Sequence, residues 1–210
     1  MSWLLLPLTY LLGSVSFAWL AARAKGVNLR QHGSGNLGAT NAGRVLGRKW
    51  FFIIFVADLA KGLVPVLIAK ALVDAGSAHV TLPVLTAACA ILGHSFTCFH
   101  GFKGGKAVAT SLGVLIGLVY IAAGITFGVW LLAWALGYAV FRLKASDAVG
   151  PASVVAALVM PFAHLATFPG PWALINLPLT IFLFLVATLV IVRHRSNIAK
   201  LLGKTPPPAE

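Results

Sequence analysis

Acidic residues are the scarcest feature of this sequence: four in 210 residues, against sixteen Lys and Arg. Asp58, Asp74, Asp147 and Glu210 stand far apart, so the carboxylates that hold Mg²⁺ in nucleotide-hydrolysing sites are missing. Cysteine is nearly absent too. Cys89 and Cys98 lie about two and a half helical turns apart in one apolar run, too far for a disulfide. Metal-ligand spacing is also lacking, and neither a metal nor a cofactor is expected. Charged residues of both signs make up only 10%. A soluble domain carries about 25%, so a soluble globular fold is excluded. No period-two alternation runs through the apolar stretches, which argues against a β-barrel. An internal repeat is missing as well, which removes support for a transporter built from repeats. The first apolar run has no basic residues before it, so it is not read as a cleavable signal.

What is present is grease, with 60% hydrophobic residues, and a net charge of +12. Continuous apolar runs imply an all-α polytopic membrane protein. A span needs about 20 apolar residues. Candidates are Trp3–Ala22, Trp50–Val73, Thr81–Phe99, Val149–Thr167 and Trp172–Val192. Pro151 and Pro161 are expected to bend or interrupt the fourth of these. Ala107–Phe141 is long for one span and short for two. We read it as a short helix to about Val119, a turn near Tyr120–Gly124, and a full helix beyond. The total is about seven transmembrane helices. Apart from Lys61 and Lys70, the basic residues fall in connecting loops and the tail, which the positive-inside rule places in the cytoplasm. The N-terminus is then outside and the C-terminus inside. The cation excess fits anionic headgroups or phosphorylated substrates rather than nucleic acid. Residues 1–203 read as one domain, and 204–210, with Pro206-Pro207-Pro208, as a disordered tail.

Three polar clusters are expected on the cytoplasmic face. The first is Arg30-Gln31-His32-Gly33-Ser34-Gly35-Asn36-Leu37-Gly38-Ala39-Thr40-Asn41-Ala42-Gly43-Arg44, dense in glycine, amide and hydroxyl, and free of acid. Glycine lets the backbone turn tightly, and consecutive N–H groups in such turns form anion-binding concavities. Arg44 adds a planar fork suited to phosphate. The second is Phe102-Lys103-Gly104-Gly105-Lys106, which resembles a phosphate-cradling loop without being a Walker A motif. The third is Arg193-His194-Arg195-Ser196-Asn197, with His194 and Asn197 one turn apart. Ser34, Thr40 and Ser146 are hydroxyls able to bond phosphate oxygens. Asp58 and Lys61 lie one turn apart inside a span, and we read them as an internal ion pair that fixes packing or shapes the loop. His94 ends a span beside Ser95, where it faces the pocket or is held as a structural histidine. No His is followed five positions on by Asp, so the His-x₄-Asp signature of soluble glycerolipid acyltransferases does not occur.

The run Gly33-Ser34-Gly35-Asn36-Leu37-Gly38-Ala39-Thr40-Asn41 with Arg44 and Gly47 is followed by Asp58-x-x-Lys61-Gly62 and Gly93-His94. Then come Phe102-Lys103-Gly104-Gly105-Lys106-Ala107-Val108-Ala109-Thr110 and His194-x-x-Asn197-Ile198. In this order and spacing they resemble the bacterial acyl-phosphate-dependent glycerol-3-phosphate acyltransferase family, PlsY. The resemblance implies an inner-membrane enzyme that moves a fatty acyl group from acyl phosphate to the sn-1 hydroxyl of glycerol 3-phosphate. The products are lysophosphatidic acid and inorganic phosphate, at the first step of phospholipid synthesis. No cofactor is implied. The partners are the two substrates, membrane lipid and an upstream enzyme that forms the acyl phosphate. By motif, Ser34, Arg44, Lys103, His194 and Asn197 become catalytic candidates. Gly35, Asn36, Thr40, Asn41, Gly104, Gly105, Lys106 and Ser146 become phosphate-binding candidates, and Asp58, Lys61 and His94 supporting ones. The family's later Gly-x-Glu is replaced by Gly203-Lys204-Thr205-Pro206. An acyl phosphate has a good leaving group, and the family is thought to let the substrate's own phosphate take the proton, which suits loops with no well-placed acid–base pair. The alternative is a transporter for an anionic phosphorylated solute.

Overall fold

A computed structural model describes residues 2–203; the predicted tail and the Lys204-Thr205-Pro206 departure lie outside the described residues. Among them, every regular element is helical, and they fall into two compact units, residues 2–118 and 119–203. Large apolar side chains such as Leu8, Phe52, Val56, Leu132 and Phe162 face outward, while Thr9, Asn41, Asp58, Lys61 and His94 are buried. This inversion suits a lipid surround, where an apolar exterior costs nothing. The chain is a multi-pass membrane protein.

The first unit contains α1 (Leu5–Ser14), α2 (Phe17–Ala24), α3 (Ala39–Leu46), α4 (Arg48–Asp74), α5 (Leu82–Ser95) and α6 (Val108–Leu118). α1 and α2 form one bent element with a 40° break at Val15–Ser16. Val15 is extended, and Ser16 restarts the helix by accepting the Trp19 N–H at 3.2 Å. Tyr10 Oη donates to Phe96 O at 2.7 Å, and Thr97 Oγ1 to Ser14 O at 2.6 Å, which ties the break to the end of α5. α1 packs on α5, and α4 on both α5 and α6. Small residues let these backbones approach. A Cβ on Gly13 would lie 2.6 Å from Ala90 O, and one on Gly113 would overlap Leu59 O.

The stretch 107–141 is two helices, as expected, but the break is a single residue. Val119 (φ −146°, ψ 69°) separates α6 from the next helix, which begins at Tyr120 rather than after a turn to Gly124. The eleven-residue α6 is too short to span alone. Lys70 Nζ donates to Gly117 O at 3.2 Å, giving a carbonyl at the end of α6 a partner.

The second unit contains α7 (Tyr120–Ala139), α8 (Ala145–Thr167), α9 (Leu177–Arg193) and α10 (Arg195–Leu201). α7 and α8 pack antiparallel: Trp130 Nε1 donates to Ser153 Oγ at 3.1 Å and Trp134 Nε1 to Ala145 O at 2.9 Å. Pro151 and Pro161 do not interrupt α8, which is one helix through both. His164 Nε2 lies 3.1 Å from Thr180 Oγ1, joining α8 to α9. α9 and α10 meet at 56° at His194.

Among the described residues, four helices are long and apolar enough to cross a membrane alone, or up to six elements if each bent pair counts as one span.

If close glycine packing holds the first unit together, Gly113→Val should lose about 1–3 kcal/mol, as overpacking does. Gly124→Ala, where a Cβ meets nothing within 4 Å, should change stability by less than about 1 kcal/mol. Thermal melting of both variants in detergent, followed by size-exclusion fluorescence, checks the contrast.

Candidate functional site

The opening loop is built around one amide. Asn41 is 2% exposed; its Oδ1 accepts the Ser34 N–H at 2.8 Å. Its Nδ2 donates to the carbonyls of Leu29, His32 and Asn36 at 3.3, 3.1 and 3.0 Å. Both ends of the side chain are therefore committed to the backbone of residues 29–36. Asn41, expected to bind phosphate, shapes the loop instead. Gly33 sits at φ +63°, and a Cβ on it would overlap Asn41 Oδ1, so this turn excludes any side chain at that position.

The loop then runs into α3, a helix the polar composition had hidden. Gly38 is its N-cap and no side chain caps it. The first amides of a helix have no partner within it, and its dipole favours anions there. Thr40 lies in this first turn, with Arg44 one turn later on the same face. Thr40 is half-buried, whereas Ser34 and Arg44 are exposed. Asn36 Oδ1 lies beside the N-cap, 3.0 Å from where a Gly38 Cβ would be.

The second loop is also ordered from within. Phe102 N–H donates to Thr97 O at 2.9 Å and Lys103 N–H to His100 O at 3.2 Å. Gly104 N–H donates to Ser95 O at 3.1 Å and Gly105 N–H to His94 O at 2.9 Å. The bare-amide cradle expected at Gly104–Gly105 is thus turned inward onto the end of α5. A Cβ on Gly104 would overlap His94 O, and one on Gly105 would overlap His94 Nε2. These glycines allow close seating; in this loop the Phe102 and Lys103 side chains are exposed and Lys106 is half-buried.

The two loops meet. Arg30 Nη2 donates to Lys103 O, and Leu37 of the first loop lines one cavity with Gly104 and Gly105. Partial burial lowers the Arg30 pKa from the usual arginine value, yet the group remains cationic, as arginines in proteins do. Arg30 heads the glycine-rich cluster in the sequence, and the structure gives it the specific part of tying that cluster to the second loop.

In the second unit, His194 is buried and its Nδ1 lies 2.7 Å from Val190 O, which places a proton on Nδ1. Asn197 N–H donates to His194 O at 2.9 Å. The Asn197 side chain packs onto α8 where Gly150 leaves room: a Cβ there would overlap Asn197 Nδ2. Ser146, half-buried, lies one turn before Gly150 on the same helix. The Asp58–Lys61 pair and His94 lie in the first unit, behind the second loop.

A family model described as glycerol-3-phosphate acyltransferase matches residues 3–204. The glycerol-3-phosphate acyltransferase of Desulforudis audaxviator (strain MP104C) is 41% identical over 200 residues, covering 95% of this chain and 91% of the relative. That of Pseudomonas putida (strain GB-1) is 39% identical over 204 residues, covering 97% of each. Two crystal structures of PlsY (YgiH), an integral membrane glycerol 3-phosphate acyltransferase, are similar over 99% of this chain and 96% of theirs. The glycerol 3-phosphate form gives a TM-score of 0.79 at 34% identity, and the lysophosphatidic acid form 0.76 at 33%.

Asn41→Ala should release the loop. Removing its four contacts is expected to cost about 1–3 kcal/mol locally and to raise amide exchange across residues 29–36 by roughly tenfold or more. Hydrogen-exchange mass spectrometry reads this directly, and unchanged protection would contradict the hub role.

Proposed function

The chain belongs to the glycerol-3-phosphate acyltransferase family, and we propose that it transfers a fatty acyl group from acyl phosphate to the sn-1 hydroxyl of glycerol 3-phosphate. The observation that carries this is the pairing of an uncapped α3 N-terminus, flanked by Thr40 and Arg44, with the Lys103–Lys106 loop that Arg30 ties to it. Such a surface offers dipole, hydroxyl and fixed cations to phosphate groups.

The reaction needs little else. The hydroxyl oxygen of glycerol 3-phosphate attacks the carbonyl carbon of the mixed anhydride. The C–O bond to phosphate breaks, phosphate leaves, and the hydroxyl proton passes to a phosphate oxygen of the substrate. No protein base is invoked, and no metal or cofactor takes part. The protein brings two anions together and sets the hydroxyl at the carbonyl. Its cations also stabilise the charge that develops there.

In this reading Ser34, Arg44 and Lys103 contact the reacting groups. Thr40, with the loop around Gly35 and Asn36, holds a phosphate, and Lys106 adds charge. Asn41, Gly104 and Gly105 act by shaping the two loops. His194 and Asn197 are assigned as catalytic, and Ser146 as phosphate-binding, by their match to the family's motifs. The match of the family model over residues 3–204 supports treating the chain as a single acyltransferase domain. The basic loops support a cytoplasmic site, an outside N-terminus and an inside C-terminus in a bacterial inner membrane. An enzyme that makes acyl phosphate would act upstream.

Purified protein given palmitoyl phosphate and glycerol 3-phosphate should release phosphate and form lysophosphatidic acid in equal amounts. Activity confined to acyl-CoA, or solute flux without acyl transfer, would refute the donor assignment. Arg44→Ala should lower turnover by roughly 10²- to 10³-fold, the cost of losing one charge-stabilising donor, while the protein still accumulates in membranes. Near-wild-type turnover in that variant would remove α3 from the site.

A further inference from the structure

Behind the second loop lies a buried charged cluster that acyl transfer leaves without a role. Asp58 and Lys61, one turn apart on α4, are 3% and 4% exposed and pair at 2.8 Å. Lys61 Nζ also donates at 2.8 Å to Val15 O, the carbonyl at the α1–α2 break, and lies 5.5 Å from the centre of the Phe17 ring. His94 stands in the last turn of α5. Its Nδ1 is 3.1 Å from Thr110 Oγ1 and 3.7 Å from Asp58 Oδ1. Its Nε2 lies where a Cβ on Gly105 would be. Lys61, His94, Val15, Leu37, Gly104 and Gly105 border a single cavity of about 10 Å³, the room of one water.

Helix packing alone does not call for this chemistry. A buried ion pair is often no better for stability than apolar residues of the same volume. What the charges add is direction. Lys61 is anchored at one end by a main-chain carbonyl at the helix break, and Asp58 lies beside the one imidazole on which Gly105 rests. The chain of contacts therefore runs from the α1–α2 break, through Lys61, Asp58 and His94, to the backbone that carries Lys103 and Lys106.

We propose that Asp58 and Lys61 are positioning residues for glycerol 3-phosphate: the pair holds the His94 ring against Gly105 and so fixes the seat of the Lys103–Lys106 loop. The proposal rests on the reading that this loop binds the substrate phosphate. Neither residue touches substrate; both act through His94.

The test is a split between Michaelis constants, measured on the full chain in lipid nanodiscs with palmitoyl phosphate and glycerol 3-phosphate. Single substitutions strand a buried charge and can fail to fold, so the informative variant is the neutral double, Asp58→Asn with Lys61→Met. Loss of the Lys61 bond to Val15 O lowers its melting temperature, so its kinetics are read well below that temperature. Its KM for glycerol 3-phosphate should rise about tenfold or more, as small misplacements in a site do. Its KM for palmitoyl phosphate should stay within about threefold. Wild-type values for both substrates, or equal rises in both, would overturn the proposal, because a packing pair predicts one or the other. If the double variant does not accumulate, His94→Gln carries the same expected split and the same refuting outcomes. Gly105→Ala keeps the underlying reading separate. If it leaves the glycerol 3-phosphate KM unchanged, the loop is not at the phosphate and the proposal falls with that reading. If it raises that KM while the double variant does not, only the role of Asp58 and Lys61 is refuted.

Discussion

Lipid cannot solvate a main-chain carbonyl, and this chain interrupts its helices where such carbonyls appear while offering almost no carboxylates to balance its cations. The two shortages answer each other. Lys61 bonds the Val15 carbonyl at the α1–α2 break and Lys70 bonds the Gly117 carbonyl at the end of α6; in the exposed second loop, Arg30 bonds the Lys103 carbonyl in the same way. Each cation takes a main-chain oxygen as partner, and each irregular piece of backbone gains a donor. An unsatisfied group in an apolar surround costs several kcal/mol. The Lys61 and Lys70 pairings therefore stabilise the chain where its helices break.

The same economy orders the site from inside. Asn41 organises the first loop by accepting one amide and donating to three carbonyls, and the end of α5 organises the second by accepting the amides of Gly104 and Gly105. In both loops the backbone is turned inward, and side chains with a helix terminus face outward. Such an arrangement is stiffer than a nest of open amides, because its geometry does not depend on a bound anion. Preorganised donors stabilise developing charge without rearranging during the reaction, which is the larger share of electrostatic catalysis.

Much of this was legible in the residues. The motifs pointed to a membrane acyltransferase, and the apolar runs located the long helices within a few positions. What stayed hidden has identifiable causes. α3 is short and made of Ala39-Thr40-Asn41-Ala42-Gly43-Arg44, a composition with no apolar period, so it read as loop. The α1–α2 break carries no Pro; its signals are the Gly13-Ser14 pair just before it and Ser16, an N-cap residue inside an apolar run. Pro151 and Pro161 do not interrupt α8, since a helix packed against neighbours can absorb a missing donor. Asn41, Gly104 and Gly105 are of types that suit anions, yet they hydrogen-bond to the protein's own backbone. Residue type does not say whether an amide points out to a substrate or in to a carbonyl, and only the fold decides that.

Scarcity of acid then connects the scaffold to the chemistry proposed for it. A carboxylate near two phosphates would repel both substrates and pair with Arg44 or Lys103, removing the charge on which binding depends. The one buried carboxylate in the first unit, Asp58, is kept on the far side of His94 and matched to Lys61. It can therefore hold position without projecting negative charge toward the loops proposed to bind phosphate. A site with no carboxylate beside its cations suits, in the proposed reaction, a donor that brings its own good leaving group and its own proton acceptor. For the proposed reaction, keeping carboxylates away from the first and second loops favours binding; Asp147, next to Ser146 in the second unit, is the exception among the basic segments.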